Sequence, residues 1–258
     1  MSLVPRLTLH ALPHLLAGVL GWALASAAQA GEVAVAVASN FTAPMQHIAA
    51  QFEKDTGHKA TLSFGATGKF YAQIHHGAPF AVLLAADAST PEKLAKEGLG
   101  VDASRFTYAL GQLVLWSRQP GYVDAQGAVL QNGNYAHIAV ASPKLAPYGQ
   151  AAMQTLDKLQ LSAQVQPKVV QGENIGQTYQ FVASGNAPLG FVALSQVMEG
   201  GKLREGSAWI VPASMHAPIR QDAILLRTAQ NNAAAKALLE YLQSAPSRRI
   251  MTAYGYRF

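Results

Sequence analysis

Residues 33–41, VAVAVASNF, constrain this chain more than any other stretch. Val and Ala alternate for one strand length, then the polar pair Ser39-Asn40 stops the pattern and a helical one begins. A strand ending in short polar residues at a helix start gathers hydroxyl, amide and unpaired main-chain N–H groups at one edge, where an anion can sit. Comparable edges follow at Ser63-Phe64-Gly65-Ala66-Thr67-Gly68 and at residues 142–149. Capping and turn chemistry is the plainer role of each such residue taken singly. Their repetition at strand ends, without a cationic cluster, points instead to a receptor for a small oxyanion.

The rhythm continues along the chain. Met45, Ile48, Ala49 and Phe52 recur at helical spacing and predict a helix over 42–56, stopped by Gly57. A strand over 59–64, a helix over 69–76 and an apolar strand over 80–86 follow, then a helix opened by Thr90-Pro91-Glu92 with Thr90 as its cap. This order predicts an α/β fold, with a mainly parallel sheet flanked by helices on both faces. Residues 108–116 read as one long strand, and residues 118–136 show no period. The pattern restarts with a strand over 137–141, a helix over 147–159, a strand over 168–170, a helix over 175–184 and a strand over 189–192. Two helices, over 232–242 and from 247 to about 253, end the chain. The expected organisation is lobe I at 31–109, lobe II at 110–217, and a return of 218–258 to lobe I. The ligand cleft would lie between facing strand ends.

Residues 1–30 read as an export signal. Arg6 precedes an apolar run over 15–25, and Ala28-Gln29-Ala30 fits a small-x-small cleavage site, with cleavage expected after Ala30. The run is shorter than the roughly 20 residues of a membrane span; an uncleaved anchor is the alternative. The chain has no cysteine, which excludes a thiol lipid anchor, disulfides and thiolate metal sites. A soluble, monomeric protein of a bacterial periplasm is therefore expected. Half of the residues are hydrophobic and 13% are charged, a globular balance. The formal net charge of +5 drops by one with the loss of Arg6. The remaining cations are dispersed apart from Arg248-Arg249 and carry no interleaved aromatics, so nucleic acid is not an expected partner.

Chemistry-bearing motifs are few. Residues 31–258 contain no G-x-S-x-G elbow, no complete phosphate loop and no His-x-x-x-His spacing, and the adjacent His75-His76 would point apart on a helix. Asp87 and Glu173 are the carboxylates near the expected cleft, and Asp87 reads as a cap or lobe-closing residue. No catalytic residue and no cofactor are expected. A periplasmic hydrolase using Asp87 or His76 is the enzymatic alternative.

Several stretches, taken in order across nearly the whole exported chain, resemble one family. They are Ala38-Ser39-Asn40-Phe41-Thr42, residues 62–68, Gln73-Ile74 with Gly77-Ala78-Pro79, Ala85-Ala86-Asp87, Pro147-Tyr148-Gly149, residues 185–190 and Tyr254-Gly255-Tyr256. Together they are similar to the periplasmic molybdate-binding proteins of ABC transporters, which have the two-lobed type II binding-protein fold. The resemblance implies molybdate and tungstate as ligands and a membrane permease as partner. It places the anion's contacts on Asn40, with Ser39 just before it, on Thr67, on Tyr148, where many members have a small residue, and on the main-chain N–H of Ile175, with no direct ligation of the metal. At Ala193 the chain departs from members that present a tyrosine hydroxyl, and Tyr148 is expected to replace that hydroxyl. Such a neutral cage can hold a dianion if enough oriented donors replace its hydration shell. Hydrogen phosphate would need an acceptor, which these contacts lack. Sulfate, or another tetrahedral oxyanion, is the alternative ligand and would be separated by cage size alone.

Overall fold

The computed structural model describes residues 30–258, so the expected export segment lies outside the described residues except for Ala30. The chain opens with β1 (Glu32–Ala38), α1 (Thr42–Thr56), β2 (Lys59–Gly65), α2 (Thr67–His75), β3 (Val82–Leu84), α3 (Ser89–Lys96) and β4 (Phe106–Gly111). It continues through β5 (Leu113–Ser117), α4 (Val129–Asn132), β6 (Ile138–Ala141), α5 (Pro147–Lys158), α6 (Ser162–Val165), β7 (Val169–Gly172), α7 (Ile175–Ala183), β8 (Leu189–Ala193) and α8 (Leu194–Val197). The small hairpin β9 (Met198–Glu199) and β10 (Lys202–Leu203) precedes β11 (Ser207–Ile210), β12 (Ile219–Leu225), α9 (Ala233–Leu242) and α10 (Ala245–Ala253).

The main strands form two five-stranded sheets, ordered β2-β1-β3-β12-β4 and β11-β5-β8-β6-β7. In the first, β1, β2 and β3 are parallel, while β12 runs antiparallel between β3 and β4. In the second, β6, β7 and β8 are parallel, and β5 runs antiparallel between β8 and β11, so that β11 points the same way as β8. This is an α/β architecture of two open sheets flanked by helices, each parallel except for one reversed strand second from an edge.

The alternation in β1 explains how its sheet is sandwiched. Val33, Val35 and Val37 enter one core with Phe41, Met45, Ile48 and Phe52 of the α1 segment and Leu238 and Leu242 of α9. Ala36 points to the other face and joins Phe70 and Ile74 of α2, Leu83 of β3 and Leu94 of α3. Each of the larger side chains, once buried, stabilises the fold by roughly 1.5–3 kcal/mol.

Local departures from the sequence expectations have identifiable causes. The strand expected over 108–116 is two strands in different sheets, parted at Gln112. Gly111 still pairs with Ile219 of the first sheet, and Leu113 already pairs with Ala193 of the second. An alternating apolar pattern records burial but not the identity of the partner strand. The helix at Ser89–Lys96 starts before Thr90, because the Asp87 carboxylate accepts the Thr90 N–H at 2.6 Å and so does the capping expected of Thr90. The last helix begins at Ala245, with Ser244 accepting the Ser247 N–H.

Candidate functional site

Ser39, Asn40, Thr67, Tyr148 and Ile175 are all buried, and all line one small cavity between the two sheets. The cavity is small, about 10 Å³, and is closed further by Ala38, Gly65, Ala66, Ala86, Ala146 and Pro147. Pockets for drug-sized ligands run to roughly 300–1,000 Å³, far more than this cavity offers. Among the described residues no cluster of His, Asp and Glu has the geometry to hold a metal ion.

Each wall comes from strand ends that turn into helices. β1 ends in a tight turn, Ser39–Phe41, before α1. Asn40 does not cap α1 as its residue type suggested. The cap position is Phe41, with no side-chain cap, and the Asn40 amide reaches inward instead. Thr67 is the first residue of α2, not part of the preceding loop. Its hydroxyl accepts the Ala86 N–H at 3.0 Å, which leaves its own proton free to donate. Pro147 and Tyr148 open α5, and Ile175 opens α7, where the Asn174 side chain caps by accepting the Gln177 N–H at 3.0 Å. A helix start leaves its first N–H groups without intrahelical acceptors and carries the positive end of the helix dipole. The second sheet thus presents main-chain N–H groups at Tyr148 and Ile175.

Ser39 joins the two halves. Its hydroxyl donates to Asn174 Oδ1 at 3.1 Å and accepts the Gly176 N–H at 3.2 Å. Gly68 N donates across the cleft to Leu145 O at 3.0 Å, and an ion pair between half-exposed Lys69 and Glu173 spans its rim.

A buried polar network behind the cavity was not evident from local sequence patterns. Asn40 Nδ2 donates to Gln221 Oε1 and to Tyr256 Oη, both at 2.9 Å. The Tyr108 hydroxyl lies 2.9 Å from Gln221 Oε1 and 3.0 Å from Ala85 O, and Gln221 Nε2 donates to Tyr148 Oη at 3.0 Å. Tyr256 Oη also contacts Asn40 O and Ser195 Oγ, each at 3.1 Å, and Ser195 Oγ donates to Asn40 O at 2.7 Å. Burial pushes the Tyr108 and Tyr148 hydroxyls well above the ordinary phenol range and that of Tyr256 up to about 12, so all three remain protonated at neutral pH. The Tyr148 hydroxyl, expected to stand in for the one missing at Ala193, is held by Gln221 beside the chain crossing at Gly111. A Cβ added at Gly111 would lie 2.2 Å from it. One sequence signal could have exposed Gln221: β12 reads IRQDAIL, and Gln221 and Asp222 are a buried polar pair between the exposed Arg220 and the apolar run Ala223–Leu225.

Asp87 stands outside the cavity, in a neighbouring cleft with Gln150, Gln154 and Arg220. Burial raises its pKa, partly offset by hydrogen bonds from Thr90 and Ser89. Its carboxylate is occupied as a helix cap.

Residues 33–257 match the model of the bacterial extracellular solute-binding proteins. The chain is 60% identical over 233 residues to the molybdate-binding protein ModA of Azotobacter vinelandii, covering 90% of this chain and 92% of that protein. It is 51% identical over 249 residues to the ModA of Rhodobacter capsulatus, covering 96% of each. The structure of an Azotobacter vinelandii periplasmic molybdate-binding protein superposes with a TM-score of 0.85 at 41% identity, over 88% of this chain and 99% of that one. The chain belongs to the molybdate-binding family of the bacterial extracellular solute-binding proteins.

Proposed function

We propose that this protein captures molybdate, and tungstate with it, in the bacterial periplasm and delivers the anion to the membrane permease of an ABC transporter. The observation that carries this reading is the small cavity rimmed by the starts of α2, α5 and α7 and by the β1–α1 turn, with donors and no cation at its wall. Asn40 and Thr67 grip the anion from the first sheet, Tyr148 and Ile175 from the second, and Ser39 ties the walls together. Each hydrogen bond to a charged oxygen contributes about 1.5–3 kcal/mol, and several together offset the cost of desolvating a dianion. The reaction is capture by closure of two lobes, with no bond made or broken. The protein acts as a monomer with no cofactor and no nucleic-acid partner. The export signal expected in residues 1–30 agrees with the periplasmic location of the family's characterised structure.

Isothermal titration of the exported chain with molybdate, tungstate, sulfate and phosphate tests the reading. The expected result is one saturable site for molybdate and tungstate that excess sulfate barely weakens. Absence of heat with molybdate, after refolding to strip any carried ligand, would overturn the assignment.

A further inference from the structure

Gln221 occupies an unusual place in the cavity's support. It is fully buried on β12, where the register against β4 shifts: Gln221 pairs with Ala109 and Asp222 with Thr107. Tyr108 is the extra residue of this bulge, and bulges re-aim side chains. The neighbouring Asp222 is fixed by Arg105 at 3.0 Å and Thr107 at 2.7 Å. Gln221 is therefore locked in place, with one end of its amide toward Tyr108 and Asn40 and the other toward Tyr148.

Two features of this network are unsatisfied when the Gln221 oxygen faces Tyr108. The single Tyr108 proton then faces two acceptors, Ala85 O and Gln221 Oε1. In addition, Asn40 Oδ1 is buried without any partner, although its residue lines the cavity. The two ends of an amide are nearly isosteric, so their polarity is set by the surrounding network. Turning both amides end for end removes the first conflict and changes the sign of the second. Gln221 Nε2 then donates to Tyr108, which donates to Ala85 O, and also to Asn40 Oδ1. Tyr256 turns its proton from Ser195 to Asn40 Oδ1, Ser195 keeps its bond to Asn40 O, and Tyr148 donates its proton to Gln221. What remains unpaired is the Asn40 amino group, a donor in place of a stranded acceptor.

We propose that Gln221 is the positioning residue that turns the Asn40 amino group toward the bound anion and thereby sets selectivity for fully deprotonated oxyanions. The proposal rests on the oxyanion reading of the cavity. With the amide so held, the cage offers no carbonyl oxygen to the proton of hydrogen phosphate; with the amide reversed, Asn40 Oδ1 would accept it. The Tyr148 hydroxyl, engaged by Gln221, leaves Tyr148 to meet the anion through its main-chain N–H.

Side-chain amide resonances of the labelled wild-type protein test the polarity directly, with and without molybdate. The expected Overhauser contacts run from the Gln221 amino protons to the Tyr108 ring, with the Asn40 amino protons remote from the Tyr256 ring. Contacts from Gln221 to the Tyr148 ring, and from Asn40 to Tyr256, would overturn the proposal. This readout does not depend on binding. If the expected contacts appear but molybdate fails to bind, the oxyanion reading falls while the polarity stands. A second arm uses Gln221→Glu, whose ionised carboxylate only accepts and so draws the Asn40 amino group away from the cavity. Competition between phosphate and sulfate at about pH 8, where both are dianions, cancels the repulsion from the added charge. The expected ratio shifts at least about tenfold toward phosphate relative to wild type. An unchanged ratio would overturn the link to selectivity.

Discussion

The two walls of the cavity are built differently. The first-sheet wall uses side chains: the Thr67 hydroxyl, braced by the Ala86 N–H, and the Asn40 amide, braced by Gln221 and Tyr256. The second-sheet wall uses main chain at the starts of α5 and α7, where the side chains of Tyr148 and Ile175 face the core and the network instead. A side-chain wall depends on residue type and a main-chain wall on backbone placement. The two walls should therefore fail under different substitutions.

The largest effect is expected on the main-chain wall, from a change that moves the backbone. A Cβ at Gly149 would lie 2.2 Å from Ala141 O, so Gly149→Ala must shift the start of α5. Molybdate affinity should fall more than about 100-fold by titration, with a lowered melting temperature. Next comes Thr67→Val, which keeps shape, removes the donor and strands the Ala86 N–H. A loss of about 10- to 100-fold is expected, since hydrogen bonds to charged groups carry about 1.5–3 kcal/mol. Gly111→Ala sharpens the comparison at the seam, because its Cβ would strike Tyr148 Oη at 2.2 Å and Gln221 Nε2 at 2.5 Å. It should weaken both walls together, and a crystal structure would locate the displaced ring.

The side-chain wall should also answer to alkali. Burial raises the Tyr256 pKa from 10.0 to about 12, so the folded protein holds this proton more tightly than the unfolded chain. That stabilisation is complete below about pH 10 and is lost as pH rises toward 12. Melting curves across this window should show a decline that Tyr256→Phe reduces. The smallest effect is expected at the rim. Lys69 and Glu173 are half-exposed, and exposed pairs contribute about 0–1 kcal/mol. Lys69→Ala should speed anion release by no more than about threefold, and salt should erase the difference.

Local chemistry made much of this molecule legible. The apolar spacing of Met45, Ile48 and Phe52 marked α1, because those side chains must reach the core packed under β1. The turns at Ser39-Asn40, Thr67, Tyr148 and Ile175 could be singled out because strand ends and helix starts carry short-range signals. The split of 108–116 between two sheets could not, since Leu113 and Tyr108 are equally buried in different cores. Nor could the supporting network: Gln221 meets Asn40 across 181 residues and Tyr256 meets it across 216, and no local pattern encodes such pairings. The bracing of Asn40 stayed hidden for the same reason, because its partners arrive from the far end of the chain.

The insertion of β12 between β3 and β4 has a consequence for how the molecule is assembled. The second sheet draws its strands from one continuous stretch, Leu113 to Ile210, and can close on itself. The first sheet cannot, because its fourth position stays vacant until Ile219–Leu225 has been made and returned. Contacts so distant in sequence form late, after the entropy of a long loop has been overcome. The chain emerging from a ribosome thus lacks a finished grip on any anion until its last segments are available. Pulse-labelled hydrogen exchange during refolding should find β6 and β8 protected before β3 and β4.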